Sequence, residues 1–198
     1  MTGLGQQIMT LARLSLQDPR AGARALLRLG VPMPARTLGL LLMAVASAVL
    51  MQVGFMILPP TDDPLAVLMM ASPLRTAVIQ WLILSVSVLL IYRVGRAWGG
   101  RGSLPDSLLV VVWLQVIMLG VQAVQVVALL IAPPVAAIIN LAGLVLFFWL
   151  MTSFIAELHG FTSRGKVLAG ILVTSFAVAM ILVFLLLLTF GPEALGNV

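Results

Sequence analysis

Arg93-Val94-Gly95-Arg96-Ala97-Trp98-Gly99-Gly100-Arg101-Gly102-Ser103-Leu104-Pro105-Asp106-Ser107 decides how this chain is organised. It is the most polar, glycine-rich and basic connection in a sequence that is otherwise almost wholly apolar. Hydrophobic runs leave it on both sides, two before it and three after. Its three arginines mark the side of a membrane on which it lies, and the remaining connections are ordered around it.

Of 198 residues, 62% are hydrophobic and 9% charged. A soluble domain carries roughly a quarter charged residues, so too few charges are present to wet a surface, and the natural solvent of most of this chain is lipid. There are no cysteines, which removes disulfides, thiolate metal sites and cysteine catalysis. One histidine, His159, leaves no multi-histidine metal site. Ten arginines and one lysine outnumber six acids. Because the positive charges flank hydrophobic runs, they point to topology and anionic lipid, and not to nucleic acid.

The runs predict an all-α polytopic membrane protein. An N-terminal arm, residues 1–36, is amphipathic and too polar to span. Asp18-Pro19 reads as a helix start, with Asp as N-cap and Pro at the first helical position. From there Arg20, Arg24 and Arg28 fall four apart on one face, and Ala23, Leu26 and Leu27 on another. Residues 19–29 are therefore expected to lie flat on the membrane with arginines toward phosphate headgroups, stopped by Gly30 and Val31-Pro32-Met33-Pro34. Leu4 to Leu16 form a weaker second piece.

Five transmembrane helices are expected within residues 37–190. Thr37–Leu58 carries no charge, crosses about 30 Å of hydrocarbon, and sets Ala44, Ala48 and Gln52 four apart for close packing. Ala44-Val45-Ala46-Ser47-Ala48 is a poor peptidase site, because the region ahead is too long and the apolar run too short. After the Pro59–Pro64 break comes a short interfacial helix near Leu65–Ala71. The second span is Pro73–Tyr92, with Arg75 able to snorkel outward. The third is 105–131, opened by Ser103-Leu104-Pro105-Asp106 and long enough to tilt. A tight turn at Pro133-Pro134 leads into the fourth, 135–158, ended by Gly160. Ser163 caps the fifth, 164–190, and residues 191–198 form a short tail.

Ten of the basic residues lie on one side: Arg13, Arg20, Arg24, Arg28, Arg36, Arg93, Arg96, Arg101, Arg164 and Lys166. The other side has Arg75 alone, with Asp62, Asp63 and Glu193. That bias predicts a cytoplasmic N-terminus and an outside C-terminus.

Away from the span ends no ionisable residue falls inside a span, which argues against a proton-driven pump. The most polar intramembrane feature is Gln115, Gln122 and Gln125, within about 80° of one another on the third span. These amides either bond to groups such as Asn140, Gln80, Ser85 or Thr174, or form a polar seam with Asn140 that admits a headgroup or solute. Glu157 and His159 point to different helix faces and make no metal pair. The loop glycines follow no strand, so a nucleotide loop is not indicated, although Arg96 and Arg101 offer contacts to a lipid phosphate. No serine stands among a base and a carboxylate in a recognisable order. No cofactor and no enzymatic activity are expected.

Three segments carry a resemblance: Asp18-Pro19-Arg20, then Trp98-Gly99-Gly100-Arg101-Gly102-Ser103, then Glu157-Leu158-His159-Gly160-Phe161-Thr162-Ser163-Arg164-Gly165-Lys166-Val167-Leu168. In this order, with five spans, the chain resembles the Yip family over about residues 10–190. The small-residue helix faces, the absence of intramembrane charge and the basic cytoplasmic surface lead to the expectation of a non-enzymatic Yip-family protein that organises membrane or scaffolds membrane-protein partners, itself included; a passive lipid scramblase or small-solute channel using the Gln115–Gln122–Gln125 stripe is the alternative. Eukaryotic members act in endomembrane traffic and bind Rab-type GTPases. This chain lacks their longer N-terminal domain and their Asp-Leu-Tyr-Gly-Pro motif, and so resembles the short bacterial form, for which a Rab partner is not expected. Its Arg-, Ala- and Gly-rich composition fits that form, and the expected location is the bacterial inner membrane, or an endomembrane in a eukaryote.

Overall fold

A computed structural model describes residues 3–58 and 64–190. Among the described residues eight helices follow one another: α1 Leu4–Gln17, α2 Pro19–Arg28, α3 Met33–Ile57, α4 Pro64–Met70, α5 Pro73–Ala97, α6 Leu104–Ile131, α7 Pro133–His159 and α8 Arg164–Phe190. Among the described residues there is no strand. Five of the helices, α3, α5, α6, α7 and α8, are long and apolar enough to cross a membrane. The Pro59–Asp63 break and the 191–198 tail lie outside the described residues.

The helix ends follow their local chemistry. Asp18 Oδ1 accepts from the N–H groups of Arg20 and Ala21, both at 3.1 Å, with Pro19 in the first turn of α2. Ser103 Oγ accepts the Asp106 N–H at 3.2 Å and donates to Asp106 Oδ2 at 2.6 Å, which fastens the start of α6. Gly30 and Gly160 end α2 and α7 in the left-handed region, with φ of 61° and 74°.

Three expected boundaries are corrected. The stretch from Arg93 to Ser107 is not one loop: α5 continues through Ala97 and α6 begins at Leu104, which leaves residues 98–103 as the connection. Glycine lowers helix propensity without breaking a helix, so Gly95 stays in α5. Pro133-Pro134 is not a turn but the first turn of α7, where a missing N–H costs nothing, and Ala132 alone separates the two helices. For the same reason α3 starts at Met33, ahead of Thr37, with Pro34 in its first turn.

α6 is the central element, packed against α3, α5 and α7, while α8 packs chiefly on α7. α3 and α6 climb together: Arg36 meets Asp106, Ser47 meets Gln115, and Gly54 faces Val126. Ala44 and Ala48 are buried, as the small-residue face requires for close approach. The core gathers at the arginine-rich end, where Leu109, Val110, Trp113 and Leu114 of α6 meet Leu150, Phe154 and Leu158 of α7. At the other end Leu130, Ile131, Ile138 and Leu141 are exposed, and such faces cost nothing against lipid tails.

The α1–α2 hairpin joins that core. Ala23 and Leu26 are buried in the same cluster as Trp113 and Phe154. The apolar face of α2, expected on lipid, thus packs on protein, where α6 and α7 cover it. Ser15 ties α1 to α6. Its Oγ donates to the Leu11 carbonyl at 2.9 Å and accepts Trp113 Nε1–H at 3.0 Å. A Cβ on Gly22 would lie 2.6 Å from the Ser15 Cα, so only glycine lets α2 approach α1 this closely.

Candidate functional site at the arginine-rich end

His159, the last residue of α7, is 2% exposed and lies against three glycines. A Cβ at Gly102 would stand 2.7 Å from its Cε1, one at Gly100 would stand 2.6 Å from its Cβ, and one at Gly95 would fall on the imidazole ring. The glycines of α5 and of the 98–103 connection are therefore a socket. Gly102 N–H donates to Nδ1 at 3.2 Å. Nδ1 is then an acceptor, which puts the ring proton on Nε2, and Nε2–H donates to the Ile91 carbonyl at 3.1 Å. Arg101 N–H donates to the His159 carbonyl at 3.2 Å, and Phe161 stacks on the ring at 5.5 Å. One neutral side chain joins α5, the connection and α7.

The surrounding side chains extend this hub. Trp98 lies over Gly170 of α8, where a Cβ would be 3.0 Å from its Cζ3. Arg20 Nη2 donates to the carbonyls of Phe161 and Thr162, both at 3.1 Å. Arg24 pairs with Glu157 at 3.1 Å. Arg36 pairs with Asp106 at 3.0 Å and donates from Nε to the Val31 carbonyl at 2.7 Å. The arginines expected at headgroups thus divide. Arg20 and Arg24 hold α2 onto the end of α7, whereas Arg28, Arg96 and Arg101 are exposed and their guanidinium groups carry no protein partner among the described residues. Exposed guanidinium groups of this kind suit phosphate oxygens.

The glutamine stripe is divided as well. Gln115 Nε2 donates to Ser47 Oγ at 2.8 Å, and Gln122 Nε2 to the Ser47 carbonyl at 3.3 Å. Both amides are taken up in joining α6 to α3, through a partner that spacing did not suggest. Gln125 is half-buried and Asn140 exposed, and among the described residues no hydrogen bond joins either of them to Gln115 or Gln122. Among the described residues no three His, Asp or Glu side chains gather to hold a metal.

In the sequence His159 serves to dismiss metal sites and stands within a segment that carries the family resemblance, but its socket is not legible there. The available signal was a lone histidine beside Gly160, in a chain whose polar connection holds three closely spaced glycines.

Comparison with known protein families matches the Yip1 domain over residues 13–187. No curated protein and no solved structure matches the chain. The matched region takes in α2, the 98–103 connection, His159 and all but the last residues of α8. With five apolar helices long enough to cross a bilayer, the chain is a multi-pass membrane protein and belongs to the Yip1 domain family.

Proposed function

We propose that the protein is non-enzymatic and organises membrane or scaffolds membrane-protein partners, with itself among the candidates, through helix-face contacts. The observation that carries this is α8. It packs chiefly on α7, and along it Leu172, Val173, Phe176 and Ile181 are exposed. A helix so little used within the fold is available to a neighbouring helix, since lipid and protein compete for such a face on nearly equal terms. Arg28, Arg96 and Arg101 supply the contacts to anionic headgroups on the same side as the His159 hub. The charge bias assigns that side to the cytoplasm and the C-terminus to the outside, in a bacterial inner membrane.

Extraction in mild detergent followed by size determination tests the scaffold. Co-purification with itself or with a stable membrane-protein partner is the expected result, lost when Phe176 and Val173 are changed to alanine. A monomer without partner overturns it. The conduit alternative has no observation in its favour, because two of its three glutamines are hydrogen-bonded into α3.

A further inference from the structure

α1 carries two apolar faces. One holds Leu11 and Ser15, and packs inward on α2 and Trp113. The other holds Ile8, Met9 and Leu16, which are 42%, 70% and 43% exposed and fall within about 100° of one another. Beside this outer stripe runs a polar edge of Gln6, Thr10, Arg13 and Gln17, all exposed. A helix that faced water alone would have no reason to widen its apolar face beyond the packed side into an exposed stripe.

The position of α1 along the bundle supplies the second observation. Its Ser15 bonds Trp113, seven residues beyond Asp106, and at about 1.5 Å per residue that is about 10 Å along α6 from Asp106. Asp106 and Arg36 mark the polar boundary of the spans, so α1 sits at the depth where headgroups give way to acyl chains. This is the depth at which in-plane amphipathic helices bury their apolar faces. The stripe then meets acyl chains, and Arg13 lies beside phosphates.

We propose that α1 is an in-plane wedge, its Ile8–Met9–Leu16 stripe inserted into the arginine-side leaflet. The occupant of this face is lipid. Because α1 and α2 add cross-section to one leaflet only, the protein favours membrane that is convex on that side, where loosened headgroup packing exposes acyl chain. This deepens the membrane-organising part of the proposed function and rests on it, but it needs no protein partner. The stripe residues Ile8 and Met9 also precede the matched family region.

The absence of cysteine makes a direct test simple. Met9→Cys carries an environment-sensitive fluorophore in proteoliposomes of phosphatidylglycerol and phosphatidylethanolamine. Blue-shifted emission, quenched by lipids spin-labelled near the headgroup and not by aqueous iodide, is expected. Quenching by iodide with no effect of the labelled lipids overturns insertion. For curvature, labelled protein is followed between a giant vesicle and a tube drawn from it toward the convex arginine side. Wild type should concentrate severalfold in the tube, and the variant with Ile8→Ser, Met9→Ser and Leu16→Ser should fall to parity. Equal distribution of wild type overturns the wedge. A wild-type melting temperature in the triple variant verifies its fold, and a conservative Met9→Leu variant should keep the enrichment. Self-association in detergent reads the scaffold separately, so either idea can fail alone.

Discussion

Replacing Gly95 with alanine adds one methyl group where the His159 imidazole already lies. Gly95 is inside α5, so in isolation the change gains up to about 1 kcal/mol of helix propensity. The structure predicts the opposite sign. His159 is 2% exposed and packed against Gly95, Gly100 and Gly102, so the ring must leave its socket. It then gives up the bond from Gly102 N–H and the bond to the Ile91 carbonyl. A buried group stranded without its partner costs about 1–3 kcal/mol. Two such losses, less the propensity gain, leave a net destabilisation of about 1–5 kcal/mol, overlapping the range of an overpacked core. Thermal unfolding of purified wild type and variant in one detergent measures it, with a lower apparent melting temperature expected. In the double variant Gly95→Ala, His159→Ala the clash is gone, so the two effects should be strongly non-additive. A Gly95→Ala protein as stable as wild type, or more stable, would refute the socket.

Four further outcomes are expected. Ser15→Ala strands Trp113 Nε1–H and should cost about 1–2 kcal/mol, with a red shift in tryptophan emission as the hairpin loosens. Asp106→Asn leaves the Arg36 guanidinium, 10% exposed, without its counter-ion, and should cost about 1–2 kcal/mol in the same melt; a double-variant cycle with Arg36→Gln should show positive coupling. Gln115→Leu should destabilise by about 0.6–1.7 kcal/mol, and Ser47→Ala should add little to it. Reporter fusions at Asp62 and Gly100 should report outside and cytoplasm respectively, and a cytoplasmic signal at Asp62 would reverse the assigned topology.

What was legible beforehand divides along a physical line. The five spans could be read because a bilayer demands a fixed length of apolar chain, and the caps at Asp18, Ser103 and Gly160 because their signals are local. The partners could not. Nearly every face of α3, α6 and α7 is apolar, so no periodicity says that Gln115 and Gln122 turn to Ser47. The reason for glycine at 95, 100 and 102 lies in a side chain at 159, beyond the reach of any turn rule. Likewise, α2 was readable as amphipathic, but an apolar face looks the same whether lipid or Phe154 covers it. The boundaries at Ala97 and Pro133 were lost because glycine and proline were taken as breakers, where one filled a packing need and the other suited a helix start.

The union of Ser15 with Trp113 joins residues 98 apart in sequence. During synthesis the α1–α2 hairpin emerges well before α6 and α7, which supply the surface that completes it. Until then Ala23 and Leu26 have no protein to cover them. The amphipathic character of both helices lets them wait on the membrane surface without aggregating, and docking of the hairpin is then among the last steps of folding. A chain interrupted before α7 would hold a hairpin with no seat. That exposed apolar face is a mark by which quality-control proteases can tell an unfinished copy from a finished one.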